Sequence, residues 1–230
     1  MTNRQIDIIR LGLIDYQRCR EIQLKIQQEL IHTERLDAVI LCQHPPVITI
    51  GKSGSKQNLL ISEQELKDHG IELYEVERGG DVTFHGPGQL VLYPLLNLHH
   101  FRTDVHWYMR QLEQVTIDFL QLYGIKSTQI DGKTGVWTLS DENGRTSPHE
   151  RKIASIGVRI SRWRTLHGLA VNIDDCSYGF KHINPCGYSD VLMTSVAQEL
   201  GSAQLAPDLK SAQEDLLECF LNVFGAKAKD

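Results

Sequence analysis

The sequence predicts an α/β fold of the α+β type, one mixed sheet flanked by helices, in a single domain over residues 1–230. Three observations carry that expectation. Short runs rich in Val, Ile and Leu recur at strand length. Longer stretches repeat apolar residues at intervals of three and four. The two kinds of segment mix without the regular strand-helix repeat of a wholly parallel sheet. No internal repeat, low-complexity linker or shift in composition marks a boundary. A chain of 230 residues, 41% hydrophobic and 23% charged, has the composition of an ordinary soluble protein and is long enough to bury a sizeable core.

Ile6 to Ile9 reads as a first short strand, and Cys19, Ile22, Ile26 and Leu30 then recur at helical spacing behind Asp15, a suitable cap. Ala38 to Cys42 is a buried strand, His44-Pro45-Pro46 a turn, and Val47 to Ile50 a further β-rich run. Gly51 to Asn58 is rich in Gly, Ser and Lys and reads as a mobile loop able to reach a ligand or partner. Ser62 and Glu65 have capping-box spacing, with Gly70 as the stop of that helix. Ile71 to Val76 is a strand, and Leu90 to Leu98 another in which Pro94 argues for an edge or an irregularity. Val105 through Leu122 carries the clearest helical stripe, capped by Asp104 and ended by Gly124. Strands follow at Gly135 to Leu139, Ile153 to Ile160 and Leu166 to Ile173, with a hairpin-like insertion at Ser140 to Glu150. The chain ends in helices near Asp190 to Leu200 and at Leu209 to Phe224.

Net charge of −5 gives no general basic surface, so nucleic acid is not an expected partner. Arg151, Lys152, Arg159, Arg162 and Arg164 form a local basic cluster that suits an acidic protein. Apolar runs are far too short to span a bilayer and the first residues lack a signal-peptide core, which points to the cytoplasm. Five scattered cysteines fit reduced thiols. Ten histidines include no His-x-x-x-His pair, and with no Cys-x-x-Cys either, a metal is not expected.

The candidate chemistry centres on Arg78-Gly79-Gly80-Asp81-Val82-Thr83-Phe84-His85-Gly86-Pro87-Gly88-Gln89, a loop whose glycines permit turns and close approaches while Arg78, Thr83, His85 and Gln89 supply polar groups. Its spacing is neither the dinucleotide fingerprint nor a phosphate loop. Cys186, between Pro185 and Gly187 ahead of a predicted helix, is the best nucleophile candidate. Lys152, opening an apolar strand, is a candidate base for its proton; each also has an inert reading, as a turn cysteine and a solvated strand-end lysine. In His167-Gly168-Leu169-Ala170 the glycine either admits a ligand or marks a strand irregularity.

Together with Lys152-Ile-Ala-Ser155-Ile156-Gly157, His167-Gly168-Leu169-Ala170-Val-Asn172 and Asn184-Pro-Cys186-Gly, this loop resembles, in order, the signature blocks of the octanoyltransferase family. The resemblance implies a fold shared with lipoate and biotin protein ligases. It also implies transfer of an octanoyl group from acyl carrier protein to a lysine on lipoyl domains of 2-oxoacid dehydrogenase E2 subunits and the glycine cleavage H protein, without ATP, metal or other cofactor. Carried over, the acyl-thioester nucleophile falls on Cys186 and the lysine that lowers the thiol pKa on Lys152. The substrate-binding segments fall on Arg78 to His85, Ser155 to Gly157 and Gly168 to Ala170. Val171 in place of Leu and a long Ser140 to Glu150 insertion are the departures. The alternative is an ATP-dependent lipoate or biotin protein ligase of the same fold, which needs no cysteine.

Overall fold

A computed structural model of the protein describes residues 4–139, 150–185, 191–202 and 205–229. The chain runs β1 (Arg4–Leu13), α1 (Tyr16–His32), β2 (Ala38–Gln43), β3 (Val47–Ile50), α2 (Glu63–Asp68), β4 (Glu72–Glu75), β5 (Val82–His85) and β6 (Gln89–Leu95). It continues through α3 (Val105–Leu122), β7 (Ser127–Ile130), β8 (Lys133–Thr138), β9 (Arg151–Ser161) and β10 (Arg164–Asn172). After α4 (Ser177–Phe180) come β11 (Leu192–Met193), α5 (Val196–Glu199), α6 (Leu209–Phe224) and β12 (Ala226–Ala228). A mixed sheet takes the order β12-β1-β2-β6-β10-β9-β8-β7, with β11 added to β9, and a separate small sheet takes the order β4-β3-β5.

The apolar strands are continuous because the large sheet is covered on both faces. In β2, Val39 and Leu41 join the cluster under α3 and α6, while Ala38, Ile40 and Cys42 join the cluster under α1. β6 repeats the pattern, with Leu90 and Leu92 to one side and Val91, Tyr93 and Leu95 to the other. Period-two alternation between two apolar layers leaves no polar face to interrupt the run. A third cluster packs Ile48, Val82 and Phe84 of the small sheet against Leu66 and Phe180.

The helix signals hold. Asp15 accepts from Arg18 N, Asp104 accepts from Trp107 N, and Ser62 and Glu65 close the capping box. Gly124 has a φ of 72° just after α3. Other expectations need correction. The Arg78 to Gln89 stretch is not one long loop but contains β5, which pairs with β3 from His85↔Val47 to Val82↔Ile50. Gly51 to Asn58 is not a loose loop: Lys52 N, Ser53 N and Asn58 Nδ2 donate to Arg78 O, Gly80 O and Asp81 Oδ2. The last-but-one helix shrinks to α5, because 191–195 is drawn out beside β9.

Pro94 sits inside the sheet, between β2 and β10, rather than at an edge. Its missing N–H falls on the side where the β6–β10 ladder has already ended at Leu92↔Leu169. There His167 turns to a φ of 61°, and Thr165 takes over, donating its hydroxyl to Pro94 O at 2.6 Å and accepting Leu96 N at 2.8 Å. The irregularity thus removes the need for a Pro94 donor.

The expected basic cluster does not form a free cationic patch. Lys152 is buried, Arg151 forms a bidentate pair with Glu199, and Arg164 donates to Leu30 O and Arg162 O. The 140–149 part of the insertion and Cys186 lie outside the described residues. Among the described residues no helix is long and apolar enough to cross a membrane.

Candidate active site

β9 and β10 pair antiparallel in the register Gly157↔Gly168, Ile156↔Leu169 and Ser155↔Ala170, so two segments separated in sequence by a hairpin become one surface. Facing them, the chain before β5 docks onto the edge of β9 through Gly79 N donating to Val158 O at 2.8 Å. A cavity of about 600 Å³ opens between these walls. It is lined by Arg78 to Thr83, His85, Lys152, Ser155 to Gly157 and Gly168 to Ala170, joined by Tyr16, Tyr93, Trp137 and His167. Phe84 is the exception among the segment's residues. The strand's alternation turns its fully buried ring away, edge-on to Phe180 at 5.6 Å and Tyr178 at 5.3 Å.

Glycine serves different purposes around this cavity. A Cβ on Gly157 would stand 3.0 Å from Arg78 Cδ and 3.1 Å from Gly79 O, so the bare backbone admits the opposite wall. A Cβ on Gly168 would stand 2.2 Å from Leu92 O, so this glycine serves the contact between strands. Gly51 likewise leaves room for Gly80 O, at 2.3 Å from its missing Cβ.

Arg78 is buried and braced. Its Nη2 donates to Thr49 O at 2.7 Å and Thr49 Oγ1 at 2.9 Å, and its Nη1 to Gly79 O at 3.0 Å. Asp81 Oδ1 accepts Val82 N at 2.7 Å, and its Oδ2 accepts Asn58 Nδ2 at 2.6 Å. His85 Nδ1 hydrogen-bonds Gln89 Oε1 at 2.6 Å; Gln89 Nε2 donates to Asn172 Oδ1, and Asn172 Nδ2 to Thr194 O. This relay ties the cavity wall to the chain just ahead of α5.

Lys152 is 1% exposed. Its Nζ donates to Thr134 O at 2.8 Å and lies 5.4 Å from the centre of the Trp137 ring. Gly135, at a φ of 119°, makes this placement feasible: a Cβ there would stand 2.7 Å from Lys152 Cε and 2.6 Å from Ala154 O. Glu113 Oε1 in turn accepts Gly135 N at 3.3 Å. Glycine opening a strand was the one sequence signal for this support. Nothing local announced Tyr16 and Tyr93, which reach the cavity from α1 and β6.

Burial keeps the imidazoles and phenols around the cavity neutral. It pushes the His85 imidazole down to about 3, with nearby His44 adding to the effect, and His44 itself down to about 4. It raises the Tyr16 and Tyr93 phenols above their ordinary range and lowers His167. Glu77 stays ionised, held down by His167 and by the Arg20 guanidinium at 2.8 Å. Cys176 is unsuited to nucleophilic work: it is buried, hydrogen-bonded to Asp174 O, and pushed up to about 12 by desolvation. A partly open cavity in which apolar, aromatic and imidazole groups stand beside a buried amine, with Arg78 and Asp81 in one wall, suits an apolar chain carrying one reactive carbonyl.

The family model of the lipoyl protein ligase A/B catalytic domain matches residues 15–221. The octanoyltransferase of Christiangramia forsetii is 42% identical over 239 residues, covering 99% of each chain. Among solved structures, a bipartite lipoate protein ligase with its E2 lipoyl domain from Thermoplasma acidophilum superposes with a TM-score of 0.69 at 13% identity, covering 99% of this chain and 87% of that one. The biotin protein ligase of Aquifex aeolicus in complex with biotin and ATP gives 0.54 at 13%, covering 95% and 70%. These two likenesses establish the fold expected from the sequence.

Proposed function

The chain belongs to the lipoyl protein ligase A/B catalytic domain family, and from that premise we propose that it transfers an octanoyl group in protein lipoylation through a covalent enzyme thioester. The observation that carries the reading is convergence: segments 78–85, 155–157 and 168–170 meet at one cavity with the Lys152 amine buried in its wall. Cys186 is the nucleophile in this reading. Its support is the anchoring of the chain on both sides of it. Asn184 N donates to Asn58 O at 2.8 Å, and Met193 pairs with Lys152 itself.

The donor is octanoyl-acyl carrier protein and the acceptor a lysine on a lipoyl domain. Lys152 takes the thiol proton of Cys186, and the thiolate attacks the octanoyl carbonyl. The carrier's sulfur leaves and takes up that proton. The acceptor amine then attacks the enzyme thioester, the Cys186 sulfur departs, and the proton lost by nitrogen returns to sulfur through Lys152. Backbone N–H groups near Gly157 stabilise the oxyanion in both steps. Exchange of one thioester for another is nearly isoenergetic and amide formation runs downhill, so neither ATP nor a metal is required for this chemistry.

Incubation with octanoyl-carrier protein in the absence of ATP tests the reading. Intact mass and peptide mapping should find one octanoyl group on Cys186, transferable to a lipoyl-domain lysine and absent in Cys186→Ser. Wild-type protein that remains unmodified, yet acylates the lipoyl domain only when ATP and free octanoate are supplied, would make it a ligase instead.

A further inference from the structure

Behind the cavity wall, where α1 packs on β2, the side chains of Cys19, Cys42 and His44 meet. Their donor atoms all lie within 4.8 Å of one another, and all three residues are buried. Cys19 Sγ and Cys42 Sγ are 3.9 Å apart, and Cys42 Sγ and His44 Nε2 are 3.6 Å apart. With Zn–S near 2.3 Å and Zn–N near 2.0–2.1 Å, a tetrahedron around one ion has edges of about 3.8 Å between two sulfurs and about 3.5 Å between sulfur and nitrogen. The two edges that meet at Cys42 have those lengths, and the third, from Cys19 Sγ to His44 Nε2, lies within 4.8 Å, so a small shift of one side chain completes the face.

The surroundings orient the donors. His44 Nδ1 donates to Ile14 O at 2.8 Å, which leaves Nε2 unprotonated on the side of Tyr93 Oη and Cys42 Sγ, the tautomer that metal-bound imidazoles adopt. Gln23 Nε2 donates to Cys19 Sγ at 3.7 Å. Tyr93 Oη lies 3.0 Å from His44 Nε2, and Tyr93 is also among the residues lining the cavity, so a further oxygen donor stands beside the cluster. Two thiolates and one neutral imidazole cancel the charge of a divalent ion, so a complete site buries no net charge. Sulfur donors select zinc over magnesium or calcium.

We propose that Cys19, Cys42 and His44 bind one zinc-class divalent cation, with the Tyr93 hydroxyl or a water closing the fourth position. Binding forms two metal–sulfur bonds and one metal–nitrogen bond, and each thiol releases one proton to solvent. The ion joins α1 to β2. Through the His44 ring, 5.2 Å from Tyr16 and 5.8 Å from His85, it also braces two residues of the cavity wall. None of its three ligands is a residue to which the proposed acyl transfer assigns chemistry, so the site is tested independently of that reading.

Full-length protein stripped with a chelator is titrated with cobalt(II), whose thiolate charge-transfer and tetrahedral ligand-field bands report the donor set. One equivalent should saturate both bands, and zinc should abolish them by displacement. Cys186→Ala should keep the bands, whereas the double substitution Cys19→Ala and Cys42→Ala should lose them. Zinc should raise the unfolding temperature of wild type but not of that double variant, with circular dichroism reporting its fold. No thiolate band in wild type at one equivalent means a packed thiol pair only and overturns the proposal. So does a band that survives in the double variant or disappears in Cys186→Ala. Because the wild-type spectrum and Cys186→Ala decide on their own, a double variant that fails to fold does not shield the proposal.

Discussion

On one side of the cavity, Ser155 to Gly157 and Gly168 to Ala170 are presented by consecutive pairs of a continuous β-ladder. On the other, the turn from Arg78 to Asp81 is held by scattered backbone bonds to the 51–53 segment and Val158, and also by side chains: Arg78 on Thr49, and Asp81 on Asn58 and on the Val82 and Ser55 amides. Both walls carry glycines at their closest approaches, yet the tolerances differ. The ladder wall is fixed by backbone bonds that no single side chain controls, so it fails when an added atom forces strands apart. The polar wall depends in addition on particular donors and acceptors, each contributing about 1 kcal/mol or somewhat more where charged.

The largest effect should come from Lys152, the buried amine that β9 presents. Lys152→Met should lower octanoyl transfer by about 10²–10⁴-fold, the range for a lost general base, while binding of an octanoyl substrate analogue falls much less. Equal losses in single-turnover rate and analogue affinity would make Lys152 a packing residue and erase the distinction between the walls.

Steric insult to the ladder comes next. Gly168→Ala sets a methyl against Leu92 O in the neighbouring strand, and neither backbone can rotate away. We expect a loss of about 3 kcal/mol in urea unfolding. An unchanged midpoint would mean that β6 and β10 separate cheaply.

Acid should act on the polar wall through His85, whose folded-state pKa of about 3 lies below the ordinary unfolded value near 6.5. Above about pH 6.5 both states are neutral and no penalty exists. Below it the unfolded state gains a proton that the folded state refuses, so stability falls as pH drops, by on the order of 2–3 kcal/mol between about pH 6 and 4 and about 4 kcal/mol by pH 3. His85→Gln should flatten this part of the stability profile between about pH 6 and 4. A variant profile parallel to wild type would remove His85 as the cause.

The smallest effect is expected at Asp81. Asp81→Asn keeps the shape but weakens its bonds to Asn58 and two backbone amides, which should cost about 1 kcal/mol and raise proteolytic nicking in the 51–58 segment. A loss as large as that of Gly168→Ala would show the two walls to be equally rigid.

Much of this architecture was legible because it depends on near neighbours. Asp15, the Ser62–Glu65 box, Asp104 and Gly124 define helix ends through contacts within one turn, and the Arg78 to Gln89 stretch was marked by clustered glycines and polar groups, whereas Ser155 to Gly157 was marked only by resemblance to the family. Pairing was not legible. That Gly157 faces Gly168, that Pro94 escapes its missing donor through Thr165, and that Phe84 turns away from its neighbours all depend on register between distant strands. A shift of one residue exchanges the two faces of a strand without changing its composition.

The cysteines make the same division. The sequence determined that Cys19 and Cys42 are buried, since each occupies an apolar position of its own helix or strand. Only the tertiary structure brought their sulfurs to 3.9 Å and set His44 beside them, because metal-ligand spacing is recognisable in sequence only when one turn or one helix supplies the donors. Here α1, β2 and the turn after β2 supply one each, and packing between helix and sheet decides the distance.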